Sequence, residues 1–313
     1  MQNIIAVVGP TASGKTGLSI NLAKHFSGEI VSADSMQIYR EMNIGTAKPS
    51  LDERQGIVHH LMGHLGVEET YNVASYVRDA QTVLKELEQR GTLPILCGGT
   101  GLYVDHLLND TEFFDIPLDL AVRKRYQKMA FEDGNEALYE LLKEKDPILA
   151  ENLHPNDSKR IIRGLEVLEI TGRCLSDFQR ESQRESPYRV LYIGLNYKDR
   201  SLLYERINRR VDLMIEEGLL DEVRRLMRDF NLSDTARAAI GYKELIDCFA
   251  SGSDLDAAIE LIKQKSRNYA KRQLTWFHRN PAIHWLYGDE MSPEELLANA
   301  VKIAEEFLKG GKA

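Results

Sequence analysis

Five consecutive apolar residues, 4–8, run directly into Gly9-Pro10-Thr11-Ala12-Ser13-Gly14-Lys15-Thr16, and no other stretch narrows the possible folds so far. The octapeptide fits G-x-x-x-x-G-K-[ST], a pattern that needs a strand before it and a helix after it. Gly9 and Gly14 permit backbone angles and close approach that a side chain would block, so successive amides can turn inward on phosphate oxygens. Lys15 then serves as a point charge over the terminal phosphates, and the Thr16 hydroxyl suits a magnesium ion bound to them. Beyond the loop, Leu18, Leu22, Ala23 and Phe26 recur at helical spacing, so a helix opens here with its positive end toward the anion. The expected ligand is a polyphosphate.

Further apolar runs at 29–33, 93–97, 190–195 and 282–287 look like buried parallel strands. Helical patterns over 17–26 and 73–90, each followed by a glycine, separate the first three strands. This β-α-β alternation implies an α/β fold with a P-loop NTPase-like parallel sheet flanked by helices, and ligands that collect beyond the carboxyl ends of the strands. From 111 to 187 the spacing is helical, which marks an insertion, with a helix over 159–170. A helical tract follows over 200–271, broken near Gly218, Gly241 and Gly252, and a last helix over 293–309 starts at Ser292 with Pro293 in its first position.

The chain has 313 residues, 43% apolar and 28% charged, and no apolar run of membrane-spanning length. With the first strand so close to Met1 there is no room for a leader peptide, and the expected address is cytoplasmic. Cys97, Cys174 and Cys248 are far apart in sequence, which argues against a disulfide framework or a thiolate zinc site. The run His59-His60-Leu61-Met62-Gly63-His64 lacks zinc-helix spacing and reads as a structural or substrate-gating turn.

A net charge of −8 would repel nucleic acid unless the basic residues are gathered on one surface. They are gathered over 263–279, KQKSRNYAKRQLTWFHR, which contains no acid. Lys263, Arg267 and Lys271 share one helical face, and Tyr269, Arg272 and Trp276 another. Basic groups interleaved with aromatics suit a phosphate backbone with stacked bases, although a solvated helix packed by its aromatics would look the same.

Two further constellations fall at strand ends. Asp34 closes the second strand and, if the first two strands are neighbours, lies near the bound phosphates as a magnesium ligand or a general base. Gly98-Gly99-Thr100-Gly101 follows the third long strand and makes Thr100 a candidate hydroxyl donor. That strand has no terminal acid, which counts against a motor ATPase, and in Asn196-Tyr197-Lys198-Asp199 the lysine is one place late for a guanine motif.

GPTASGKT, ADSMQIYR, NIGTAKP (43–49), HHL (59–61), GGTGLY, HPNDSKRIIRGLEV (154–167), AIGYKE (239–244) and YAKRQLTWF (269–277) occur in that order. In this set the chain resembles the tRNA dimethylallyltransferase (isopentenyl-tRNA transferase) family, bacterial type, over nearly its whole length. The resemblance implies transfer of a dimethylallyl group from dimethylallyl diphosphate to the exocyclic N6 amine of the adenosine 3′ of the anticodon, in tRNAs reading U-starting codons. It implies that residues 9–16 hold the diphosphate with magnesium on Thr16, and that Asp34, Thr100, Arg123 and Lys15 are catalytic. It also implies tRNA contacts from Asp34, Ser35, Met36, Gln37, Thr100, Arg123, Lys159, Arg160, Arg163, Arg237, Lys243, Lys265, Arg267, Lys271 and Arg272.

The expected division is a core of 1–111, 156–198 and 265–313, a helical insertion over 112–155 and a helical tRNA-binding segment over 199–264, in a monomer. Gly164 stands where alanine is frequent in the family, and His278 is an added residue before Arg279. Two rival readings share the motifs: a P-loop small-molecule or nucleoside kinase, and a nucleotide-gated RNA-binding module without catalysis.

Overall fold

Six strands, β1 (Gln2–Val8), β2 (Glu29–Ser32), β3 (His59–His60), β4 (Pro94–Gly98), β5 (Tyr188–Asn196) and β6 (Ile283–Tyr287), form one sheet in the order β3-β2-β4-β1-β5-β6, with every pair parallel. The computed structural model describes residues 1–310 apart from 115, 118, 183 and 184. The last three positions of the expected core therefore lie outside the described residues.

β1 is apolar without alternation because both faces of the sheet are covered. Ile4, Ala6 and Val8 point into one core with Val31 and Leu96, while Ile5 and Val7 point into another with Ile30, Ile95 and Ile193. The helices Val73–Gln89 and Gly101–Leu108 supply Tyr76, Ala80, Leu84, Val104 and Leu107 to the first core. The helices Lys15–Phe26 and Pro293–Lys309 supply Leu18, Leu22, Ala300 and Ala304 to the second. Each fully buried leucine in these layers contributes about 1.5–3 kcal/mol of transfer free energy.

Three points of the reading change. The condition attached to Asp34 is not met, because β1 and β2 are not neighbours and β4 lies between them. Residues 59–60 form a short edge strand rather than a turn, with Ile30 opposite His59 and Val31 opposite His60.

The third correction concerns the division of the chain. One compact unit comprises Met1–Leu108 and Pro187–Ala313, and the other comprises Asn109–Ser186. The segment 199–264 thus belongs with the sheet, because Val211, Leu219, Val223, Leu245 and Ile262 share one buried cluster with Ile4 and Val8. The helix Ser158–Thr171, expected in the core, belongs instead to the insertion, where its Ile161, Ile162 and Leu165 bury against Leu138, Leu142 and Leu149.

Candidate active site

Gly9 leaves β1 at φ 141°, and a Cβ there would lie 2.3 Å from the Leu195 carbonyl oxygen at the end of β5, so any side chain would force the strands apart. Ala12 (φ 62°) and Gly14 (φ 95°) turn the loop into the helix Lys15–Phe26. Thr11, Lys15 and Thr16 line a cavity of about 340 Å³. Lys15 Nζ donates to the Pro10 carbonyl at 2.5 Å, and the buried Ser13 hydroxyl has no protein partner. The ammonium is pushed down to about 8 by burial, with the Cys97 thiol and the Asp34 carboxylate opposing that effect and Arg210 adding to it. A lysine turned onto its own loop and an unsatisfied hydroxyl are groups that an anion would satisfy. The Thr16 hydroxyl and the Asp34 carboxylate, which line the same cavity, are hard oxygen donors of the kind magnesium takes.

Asp34 follows β2 and lines this cavity with Ser35, Met36 and Gln37. Its Oδ1 accepts the Met36 N–H at 2.9 Å and the Gln37 N–H at 3.3 Å, which fixes the carboxylate at the head of a turn. Thr100, just beyond β4, accepts the Ser35 N–H on Oγ1 at 3.1 Å, so β4 braces the turn that β2 delivers. The strand intervening between β1 and β2 is therefore itself part of the site.

The opposite wall is helical. From the helix Arg200–Glu216, Arg206 Nε donates to the Ala12 carbonyl at 3.0 Å, and Arg210 Nη1 donates to Thr11 Oγ1 at 3.5 Å. Burial lowers the Arg210 guanidinium below its ordinary value, with Asp34 the leading opposing charge. From the helix Leu255–Phe277, Gln273 donates Nε2–H to the Gly99 carbonyl at 2.9 Å and accepts the Thr11 N–H. The Tyr269 hydroxyl, beside Thr100 and Gln273, is pushed up to about 12 by burial and by Asp34. Ile207, Val211, Met214, Leu219, Ile240 and Ile262 complete the lining, so an apolar surface meets the anion loop within one cavity.

Arg210 sits in a long helical tract and carries no motif. Tyr269 and Gln273 lie inside YAKRQLTWF, where the sequence marks Tyr269 only as one of the aromatics on a basic helix and gives Gln273 no role.

The expected tRNA-contacting residues are distributed unevenly. Lys265, Lys271 and Arg272 are exposed on the helix Leu255–Phe277, whereas Arg267 is half-buried and donates to Asn208 Oδ1. Lys263, on the same expected face, is instead paired with Asp212 and Glu260, each at 2.8 Å. Lys271 lies over the Tyr204 ring at 5.6 Å, and Arg272 over Tyr269 at the same distance. Arg237 and Lys243 are exposed on either side of 238–242, which line the cavity.

The remaining four belong to the second unit. Lys159 and Arg160 are exposed there, while Arg123 and Arg163 converge on the fully buried Glu166 at 2.7 and 3.0 Å. The two guanidiniums hold the Glu166 carboxyl below its usual range against the opposing effect of burial.

A phosphate loop at the head of a parallel sheet, sharing a cavity with a fixed carboxylate and an apolar wall, defines a P-loop transferase rather than a motor NTPase. Residues 37–280 match the family described as IPP transferase, and the chain belongs to that family. It is 46% identical to the tRNA dimethylallyltransferase of Caldanaerobacter subterraneus subsp. tengcongensis, over 98% of each chain. Against that of Geobacillus thermodenitrificans it is 48% identical, over 98% of this chain and 95% of the other.

Solved structures agree. The full-length tRNA isopentenylpyrophosphate transferase of Bacillus halodurans superposes with a TM-score of 0.75 at 39% identity, over 100% of this chain and 99% of that one. A eukaryotic dimethylallyltransferase described as acting on tRNA gives a TM-score of 0.80 at 29% identity, over 99% of this chain and 80% of that one. Among the described residues no helix is long and apolar enough to cross a membrane.

Proposed function

We propose that this chain transfers the dimethylallyl group of dimethylallyl diphosphate to tRNA, at the N6 amine of the adenosine 3′ of the anticodon in tRNAs reading U-starting codons, and releases diphosphate. As a member of the IPP transferase family it is a prenyltransferase. The observation that carries the reading is the single cavity in which Lys15, Asp34 and an apolar wall meet.

The loop amides, Lys15 and Arg210 grip the diphosphate. Breaking the allylic C–O bond leaves positive charge spread over carbon and negative charge on the diphosphate, and these donors stabilise the negative charge as it develops. Thr16 is the residue that would hold magnesium, which when bound supplies further neutralisation of the leaving group. The apolar wall, from Ile207 to Ile262, receives the hydrocarbon and keeps water from the electrophilic carbon.

The adenine, turned out of the anticodon stack, presents its amine to Asp34, which accepts a proton as nitrogen bonds to carbon. Thr100 and Gln37 hold the turn that aims this carboxylate. Arg237, Lys243, Lys265, Lys271 and Arg272 are exposed cations that suit an RNA backbone, as are Lys159 and Arg160 of the second unit, whereas Arg123 and Arg163 are already paired with Glu166.

The test is a mass spectrum of digested tRNA after incubation with dimethylallyl diphosphate. A prenylated adenosine next to the anticodon supports the reading, and ADP formed from ATP without RNA overturns it in favour of a kinase.

A further inference from the structure

Glu222 takes no part in the cavity lining, yet it is 7% exposed and carries more hydrogen bonds than any group in the proposed site. It comes from the helix Leu219–Asp229. Its Oε2 accepts the N–H groups of Asn43 at 3.0 Å and Ile44 at 3.1 Å. Its Oε1 accepts those of Ile44 at 3.1 Å and Gly45 at 3.3 Å, together with the Tyr242 hydroxyl proton at 2.5 Å. Three consecutive amides converging on one point form a nest, a concavity that binds anions. Here the chain fills its own nest with a carboxylate.

The next residues of that segment face the cavity. Gly45, Thr46, Ala47 and Tyr242 all line it. The carbonyls of Thr46 and Ala47 both accept from Gln37 Nε2, at 3.1 and 3.2 Å. Gln37 in turn donates its backbone N–H to Asp34. A continuous series therefore runs from Glu222 through 43–47 to Gln37 and the turn that presents Asp34. Gly45 packs so closely on Tyr242 that a Cβ would lie 2.5 Å from the ring, so the phenol that donates to Glu222 also sets the distance of this wall.

We propose that Glu222, acting with Tyr242, is a positioning residue for the acceptor base: it fixes the direction of the amides at 43–45 and so the carbonyls that hold Gln37 beside Asp34. The physical reason for a carboxylate is directional. Burying a charge is costly, and an apolar side chain would fill the same space, but only an acceptor with two oxygens can collect four donors and orient a loop. Glutamine has the same shape but turns an NH2 toward N–H and O–H donors, so it fails at this task. The inference rests on the acceptor reading above, in which the 34–37 turn contacts the adenosine.

Steady-state prenylation is measured for the wild type, Glu222→Gln and Tyr242→Phe, varying each substrate at saturation of the other. Melting temperatures and hydrogen–deuterium exchange are recorded on the same proteins. Glu222→Gln is expected to raise the KM for tRNA about tenfold and to lower kcat, with the KM for the prenyl diphosphate within about twofold, because the loss falls on one substrate only. Tyr242→Phe should move the same parameters in the same direction by about threefold, one donor of the four being lost. Exchange should rise over 34–47 and stay unchanged over 9–16.

A KM change shared equally by both substrates, or a lowered melting temperature with no change in the KM for tRNA, would mean that Glu222 is only structural. Unchanged exchange over 34–47 would overturn the proposal whether or not the wild type prenylates tRNA. Absence of prenylated tRNA with the wild type would overturn the functional reading instead.

Discussion

Gln273 accepts the backbone N–H of Thr11 on Oε1 at 2.8 Å, so a side chain from the long helix Leu255–Phe277 is built into the phosphate loop. Its other end donates to Gly99, and at 5% exposure it ties the two glycine loops together away from water. Gln273→Leu leaves two buried backbone groups unpaired and is expected to cost about 2–4 kcal/mol of stability. Gln273→Glu keeps the acceptor for Thr11, loses the donor to Gly99 and adds a negative charge beside the anion. Affinity for the prenyl diphosphate should then fall at least about tenfold. Calorimetric titration of the donor decides this, and an affinity unchanged in the glutamate variant separates Gln273 from the diphosphate.

Asp34 both caps a turn and faces the cavity, and one substitution separates the two roles. Asparagine at 34 retains an oxygen for the N–H groups of Met36 and Gln37, so the turn survives, but it cannot take up a proton at neutral pH. Single-turnover prenylation by Asp34→Asn should slow by about 10²–10⁴-fold, with tRNA and donor binding within about threefold of wild type. A rate loss below tenfold would leave Asp34 as a cap alone.

The sheet was legible because strands covered on both faces are mostly apolar, and five mostly apolar runs stand out, including edge strand β6 despite its exposed His284; β3 was not, since His59 and His60 pair at the edge with no apolar run of their own. The placement of Asp34 on the cavity was legible because strand ends in this fold gather at one edge, although the condition attached to it, that β1 and β2 be neighbours, is not met; Thr100 lies beside it and holds the Ser35 N–H. Gln273, Arg210 and Glu222 were not. Their roles depend on where long helices cross the sheet, and the partners Thr11, Gly99 and 43–45 lie 174 to 262 residues away. Helical periodicity states that a face is buried without naming what lies opposite it. The same limit made 263–279 look uniform, although Lys263 is neutralised by Asp212 while Lys271 is exposed.

Lys15 links donor binding to pH. In the folded chain its ammonium titrates at about 8, against 10.5 for an unperturbed lysine. On the proposed reading the ammonium form meets the diphosphate, so above about pH 8 the free protein would have to take up a proton to bind. Donor affinity is therefore expected to weaken from pH 7 to 9.5, with about one proton taken up per donor at the upper end. Folding stability runs the other way. Between the two values the unfolded chain holds a proton that the folded chain has released, so this group's contribution raises stability as pH increases through that window. Calorimetry in buffers of different ionisation enthalpy measures the proton uptake, and Lys15→Met should abolish it. Uptake that persists in that variant would assign the titration elsewhere.

Lys271 lies over Tyr204 and Arg272 over Tyr269; both cations are exposed, and Arg272 also borders the cavity that Gln273 lines. Cations that meet phosphates release counterions, so tRNA affinity should fall steeply with salt, and each lost contact should reduce the slope of log K against log salt by about 0.7–0.9. Lys271→Ala with Arg272→Ala is expected to lower the slope by about 1.5 and to weaken binding most at low salt. Lys263→Ala removes a cation already paired with Asp212 and Glu260, and should leave the slope unchanged. Filter binding over 50–300 mM salt, a range set at about physiological ionic strength, separates the two variants. Equal slopes for both would show that the RNA does not distinguish the exposed charge from the neutralised one, and would move its path off this helix.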